Sequence, residues 1–331
     1  MDRSTRKPTI LLVTTGGTIS MVRDAEHGKS SPTLKGADLV AHSALASIFT
    51  ICVIDLSYHL ETADSLLTLA RCLQEEASDQ ISGIVVTHGT DTLEEVAYAI
   101  DEMVSAPVPI VFTGAMRPSW AVDYDGIKNL DNAVRVATTA SREYGVLVTM
   151  NDAVFEAWSV YKSDTSAKDG FAARHGTSYG QIIGELVSLT WKPLPRARIS
   201  KIPGSLPPSV PILMIGVADD GCLLAKLPVT SIRGLIIAGM AAGSIPPIAR
   251  THVLRLAERG LPIVLCSSAT SGRTAEEYYY PHAYDDLRNA GIVIENWLSP
   301  RKARMRLILS LALNEPYVPF GEEFVMPNSC A

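Results

Sequence analysis

The chain has 331 residues, 47% hydrophobic and 19% charged, the balance of a globular protein and longer than one ordinary compact core, so two domains are expected. A formal net charge of −6, spread without long single-sign runs, argues against a nucleic-acid partner, which would ask for a basic patch. No apolar stretch reaches the length that spans a bilayer, and the run after Lys7 is too short for a signal-peptide core, so no membrane partner is expected and the cytoplasm is the default location.

In chain order, Thr9–Thr14 is short, apolar and β-branched, and reads as a first strand ending in Thr15-Gly16-Gly17-Thr18. Ile51–Leu56 reads as a second strand, followed by Ser57-Tyr58-His59, and Ser65–Ala77 as a helix. Ile84–Thr87 is a third strand, passing through His88-Gly89-Thr90-Asp91 into a helix over Thr92–Val104. Ile110–Thr113 is a fourth, ending in Gly114-Ala115-Met116-Arg117-Pro118-Ser119, then a helix over Ile127–Ser141 and a strand over Val146–Met150. The alternation is that of βαβ units, and runs apolar on both faces imply a parallel sheet covered on both sides.

Trp191–Pro211 is rich in proline and breaks this rhythm. It is read as a linker between an N-terminal α/β domain at 1–190 and a C-terminal α/β domain at 212–331. Beyond it, Ile212–Val217, Leu235–Ala238, Ile263–Ser267 and Ile292–Glu295 read as strands, with helices over Arg250–Arg259 and Pro300–Leu313. Five widely spaced cysteines, Cys52, Cys72, Cys222, Cys266 and Cys330, contain no C-x-x-C, so neither a disulfide framework nor a zinc site is indicated.

Ligands of open α/β sheets bind beyond the carboxyl ends of the strands. The stretch Thr87-His-Gly-Thr-Asp-Thr-Leu-Glu-Glu95 puts more hydroxyl and acidic groups at one such end than a helix start needs. A capping box of Thr92 with Glu95, or Asp91 with Glu94, accounts for one of them, and the glutamates suit the positive end of the helix dipole. Another hydroxyl is left over. The glycines of TTGGT match neither dinucleotide nor P-loop fingerprints, so they read as allowing close approach of another small substrate. A threonine hydroxyl attacks a carbonyl only if a base removes its proton. Asp91 is adjacent to Thr90, whereas Lys162 taken alone reads as a surface lysine. His88 reads as a packed, hydrogen-bonded histidine, Arg117 as either a carboxylate grip or a turn-former, and Arg301 to Arg306 as the solvated face of a docked helix.

Together TGGTIS (Thr15–Ser20), THGTDTLEE (Thr87–Glu95), GAMRPS (Gly114–Ser119), DGIKNL (Asp125–Leu130), MNDAV (Met150–Val154) with Lys162, and SPRKAR (Ser299–Arg304) resemble the bacterial-type L-asparaginase family. The resemblance implies an α/β, two-domain fold, with a larger N-terminal, mainly parallel sheet flanked by helices and a smaller C-terminal domain. It implies hydrolysis of a small-molecule side-chain amide to a carboxylate and ammonia, without metal or other cofactor. Thr18 would be the nucleophile that forms an acyl-enzyme. Thr90, Asp91 and Lys162 would form the second catalytic group, and Gly17, Tyr58, His59, Gly89 and Ala115 would line the substrate. The family also implies a homodimer or homotetramer.

Two features depart from the family pattern. The lid after GGTI usually carries a tyrosine that meets the nucleophile, and Met21–Gly36 has none. Tyr58-His59 stands where the family places Ser with Gln or Asp to hold the substrate's α-carboxylate and α-ammonium. Glu276 and Glu277 are candidates for the acid that crosses the subunit interface. Three functions therefore compete: an asparaginase, an amidohydrolase of the same fold acting on a modified or deaminated amide, and a non-catalytic binding protein.

Overall fold

Strand β1 (Thr9–Thr14) can sit inside the sheet of the N-terminal unit, paired on both sides, because Ile10, Leu11, Leu12 and Val13 offer apolar side chains to both faces, and all four are buried. The computed structural model describes residues 7–23, 30–56, 62–190, 198–207, 209–274 and 284–321. The chain divides into two compact units, Met1–Pro193 with Ser200–Ile202, and Leu194–Ile199 with Pro203–Ala331.

After β1 come a short hairpin of β2 (Met21–Arg23) and β3 (Ser30–Pro32), then α1 (Gly36–His42), β4 (Thr50–Asp55) and α2 (Ala63–Glu76). Next follow β5 (Gly83–Thr87), α3 (Leu93–Met103), β6 (Ile110–Thr113), α4 (Gly126–Thr139) and β7 (Val146–Met150). Five strands pair in parallel in the order β4-β1-β5-β6-β7. The chain builds outward from β1 first to one side and then to the other, so its direction reverses between β1 and β5. That is the topological switch point, where an open α/β sheet leaves a crevice for its ligand. The register puts Asp55, Thr14, Thr87 and Thr113 side by side across four strands, so their carboxyl ends form one polar edge.

Beyond β7 the sheet continues antiparallel through β8 (Ala153–Glu156), and, after a separate hairpin of β9 (Val160–Lys162) with β10 (Phe171–Ala173), through β11 (Gly180–Ile183) and β12 (Leu186–Leu189). These short strands were not expected from periodicity. The signal that was present is Asn151-Asp152, both at positive φ (46° and 64°), which turns β7 directly back into β8.

In the C-terminal unit, β13 (Ile212–Met214), α5 (Cys222–Ala225), β14 (Leu235–Gly239), α6 (Pro247–Glu258), β15 (Ile263–Ser267), α7 (Asp285–Asn289), β16 (Val293–Ile294) and α8 (Pro300–Leu313) follow in order. The strands form a parallel sheet in sequence order, with Leu235, Ile237, Val253, Ile263 and Leu265 in its core. Helix α8 begins as expected, with the Ser299 hydroxyl accepting from the Lys302 backbone N–H. Arg301 is exposed, but the other basic residues do not form a solvated face. Lys302 and Arg306 are buried, Arg304 Nε donates to the Val210 carbonyl (2.7 Å), and Arg306 Nε to the Val318 carbonyl (2.8 Å). Long cationic side chains here close off main-chain carbonyls while their stems pack. Among the described residues no helix is long and apolar enough to cross a membrane.

Candidate active site

The turn after β1 is possible only with glycine. Gly16 and Gly17 have φ of 83° and 85°, a region costly for any residue with a Cβ. A Cβ on Gly17 would lie 2.4 Å from Gly89 Cα and 2.6 Å from Gly89 N. The TTGGT turn and the HGTDT turn therefore touch backbone to backbone across the switch point. Thr18, half-buried, opens the 3-10 turn that follows one glycine, and Thr90, buried, follows the other. Gly17→Ala is expected to cost about 3 kcal/mol, since both strain and overlap with main chain must be relieved. Gly89 is different, because a Cβ there would meet only Gly17 Cα, at an ordinary 3.5 Å. Gly89→Ala should therefore melt close to the wild type while Gly17→Ala melts well below it, and equal losses in thermal unfolding would contradict this packing.

His88 ties the same two turns together. Its Nδ1 lies 2.7 Å from Thr15 Oγ1, and its Nε2 lies 2.9 Å from Thr92 Oγ1. Thr15 Oγ1 donates its one proton to the Thr87 carbonyl (2.8 Å), so Nδ1 carries the ring proton and Nε2 accepts from Thr92. Burial lowers the imidazole pKa to about 4. The side chain is thus a neutral strut rather than a base poised near neutrality. The unfolded chain takes up a proton below about pH 6.5 that the folded chain refuses. This contribution, about 3 kcal/mol at most, is intact above pH 6.5 and is lost as the pH falls toward 4. In an NMR titration the His88 ring should stay neutral from pH 8 down to about 5, and a midpoint near 6.5 would contradict its placement.

Thr92 spends its hydroxyl on His88, which corrects the expected capping box. Thr92 is the N-cap residue of α3 by backbone geometry but makes no side-chain cap bond. Glu94 is not a solvated dipole partner either. It is buried, and its Oε2 accepts the Lys162 backbone N–H at 2.7 Å. Helix α3 is in fact buried on nearly all sides, Asp101 and Glu102 included.

That Glu94 bond fixes β9, and β9 delivers Lys162, remote in sequence, to the start of α3. Lys162 Nζ lies 2.9 Å from Thr90 Oγ1 and 3.2 Å from Asp91 Oδ1. Asp91 is almost fully exposed and Lys162 mostly covered, so the pair adds little to stability. Its effect is to orient the lysine Nζ on Thr90.

The third wall is the segment after β6. Ala115 is buried, and Asp125 clamps the main chain beyond it, accepting from Met116 N (3.1 Å) and Arg117 N (2.8 Å). Asn129, one helical turn on, donates to Asp125 and to the Gly114 carbonyl (3.0 Å). Arg117 pairs with Asp123 and donates to the Ser166 carbonyl, so it shapes the turn. Sequence reasoning assigned no role to Thr15, Asp125 or Asn129, and read Glu94 only as an acid of the helix start. The D-x-x-x-N spacing of Asp125 and Asn129 was the available signal for two of them. Tyr58, His59, Glu276, Glu277 and the middle of the lid, 24–29, lie outside the described residues. Among those described, no group of three or more His, Cys, Asp or Glu side chains could hold a metal ion.

Residues 9–195 match the family model described as Asparaginase, N-terminal, and residues 209–317 match the Glutaminase/Asparaginase C-terminal domain. The chain is 32% identical to L-asparaginase 2 of Bacillus subtilis (strain 168), across 93% of this chain and 84% of that one. It is 30% identical to the glutaminase-asparaginase of Acinetobacter glutaminasificans, across 92% and 95%. The crystal structure of a probable cytoplasmic L-asparaginase from Campylobacter jejuni superposes with a TM-score of 0.81 at 28% identity, covering 95% of this chain and 97% of that one. The chain belongs to the asparaginase family.

Proposed function

We propose that this protein hydrolyses the side-chain amide of L-asparagine to aspartate and ammonia through a threonine-bound acyl-enzyme. The observation that carries the reading is the pair of threonines on turns that touch at Gly17 and Gly89 across the switch point, one of them held 2.9 Å from a lysine Nζ. Similarity to proteins named as L-asparaginases supports the substrate.

In this reading Thr18 Oγ1 attacks the amide carbon. The C–O bond forms, the C–N bond breaks, and ammonia leaves with the two amide hydrogens and the proton from Thr18. Water then attacks the ester, Thr18 departs and regains a proton, and aspartate is released. Thr90 activates the attacking group by passing its proton toward Lys162 Nζ, and Asp91 orients the lysine. The same group supports the charge of the tetrahedral oxyanion. Gly17 and Gly89 leave room for the substrate, the main chain at Ala115 contacts its amide, and the family resemblance assigns Tyr58 and His59 to the α-substituent side. The two steps balance in atoms and protons with water as sole co-reactant. A homodimer or homotetramer in the cytoplasm belongs to the same proposal.

The test is ammonia release from L-asparagine, D-asparagine, L-glutamine and N-acylated or deaminated analogues. L-asparagine should be turned over fastest. Turnover confined to analogues lacking a free α-ammonium would replace the substrate while keeping the chemistry, and no release from any amide would leave a binding protein.

A further inference from the structure

Resting on the reading of Thr18 as nucleophile, the structure also suggests what holds that threonine in its attacking position. Every carbonyl from Gly17 to Met21 has a hydrogen-bond donor. Backbone N–H groups supply three of them: Ser20 to Gly17, Met21 to Thr18, and Leu34 to Ser20. Side chains supply the other two, and both come from one loop. Tyr124 Oη donates to the Ile19 carbonyl (2.8 Å), and Ser119 Oγ donates to the Met21 carbonyl (2.6 Å). We propose that Tyr124 and Ser119 are positioning residues that clamp the turn carrying Thr18 and thereby set the direction of its hydroxyl.

The loop is rigid enough to act as a clamp. Asp125 holds it to Met116 and Arg117, Arg117 pairs with Asp123 (3.3 Å), and Ala121 N and Tyr124 N bond back to Pro118 and Ala121. It also carries Ala115, so the main chain read as the substrate amide's contact and the nucleophile's turn are set by one element. The Tyr124 ring folds over Gly126 and packs against the core of the N-terminal unit. Burial, and then the neighbouring Asp125 carboxylate, push the phenol well above its ordinary range. Tyr124 therefore stays protonated at working pH, a permanent donor without acid–base duty. Residues 21–36 contain no tyrosine; among the described residues, the phenol that reaches this turn is supplied by the β6–α4 loop.

A displacement of the nucleophile by about 1 Å costs roughly 100-fold in rate. Tyr124→Phe keeps the ring and removes only the donor. With enzyme in excess over L-asparagine, first-turnover ammonia release reads attack by Thr18 itself. Tyr124→Phe is expected to slow it by roughly 10- to 100-fold, with KM within about threefold of wild type and the pH profile unchanged in shape. Ser119→Ala should slow it several-fold and Ser119→Thr should restore it, which keeps the test open if Tyr124→Phe folds poorly. Lowered melting temperatures with unchanged first-turnover rates per folded enzyme would overturn the clamp and leave a merely structural contact. Loss of the alkaline limb of the pH profile in Tyr124→Phe would overturn it in favour of acid–base work by the phenol. A wild type that releases no ammonia would remove the nucleophile reading and the clamp with it, whereas an active wild type matched by Tyr124→Phe would remove the clamp alone.

Discussion

Replacing Thr18 by alanine is expected to lower kcat on L-asparagine by at least about three orders of magnitude while leaving the fold intact. Thr18 is half-buried, and the turn around it is held by main-chain and neighbouring side-chain bonds in which its hydroxyl has no part. Removing that hydroxyl and a methyl group opens little space, so thermal stability should change by no more than about 1 kcal/mol. Without the hydroxyl no ester can form, and only direct attack by water remains. A Thr18→Ala enzyme within tenfold of wild type would mean that another group attacks the amide.

Lys162→Met is expected to produce a loss of similar size by a different route. The substitution keeps an unbranched stem in the same partly covered channel and removes the Nζ that meets Thr90 Oγ1 and Asp91 Oδ1. Asp91 remains solvated, being 94% exposed, so no buried charge is stranded and the melting temperature should hardly move. Activity should fall by roughly 1000-fold, because Thr90 loses both the acceptor for its proton and the cation beside the developing oxyanion. If Thr18 and Lys162 serve one reaction, the double variant will be little worse than Thr18→Ala, since groups acting as a unit lose their effect together. Multiplying losses in kcat would separate the two residues into independent functions.

The parallel part of the N-terminal sheet was legible in the sequence because its strands are buried on both faces and read as continuous apolar runs. Thr9–Thr14, Ile110–Thr113 and Val146–Met150 are observed with the bounds their composition suggests. The strands from Ala153 to Leu189 were not legible, being three or four residues long, too short for a period of two to register. In the site, the glycine turns and the threonines after them could be found from their places at strand ends. Lys162 could be nominated only through the family resemblance, since what brings it to Thr90 is one hydrogen bond to Glu94, 68 residues away in the chain. Glu94 itself was misread for a related reason. An acid in the first turn of a helix has an adequate local explanation, and only tertiary structure reveals that this one faces inward. The same holds for Tyr124, whose partner Ile19 lies 105 residues earlier.

The most direct test is to mix the enzyme with L-asparagine, quench within the first turnovers, measure the ammonia released, and map any acyl group by peptide mass spectrometry. Ammonia released together with an aspartyl ester on Thr18, absent from Thr18→Ala, is the result expected here. No ammonia from L-asparagine, or an acyl group carried by Thr90 or any other residue, would contradict it.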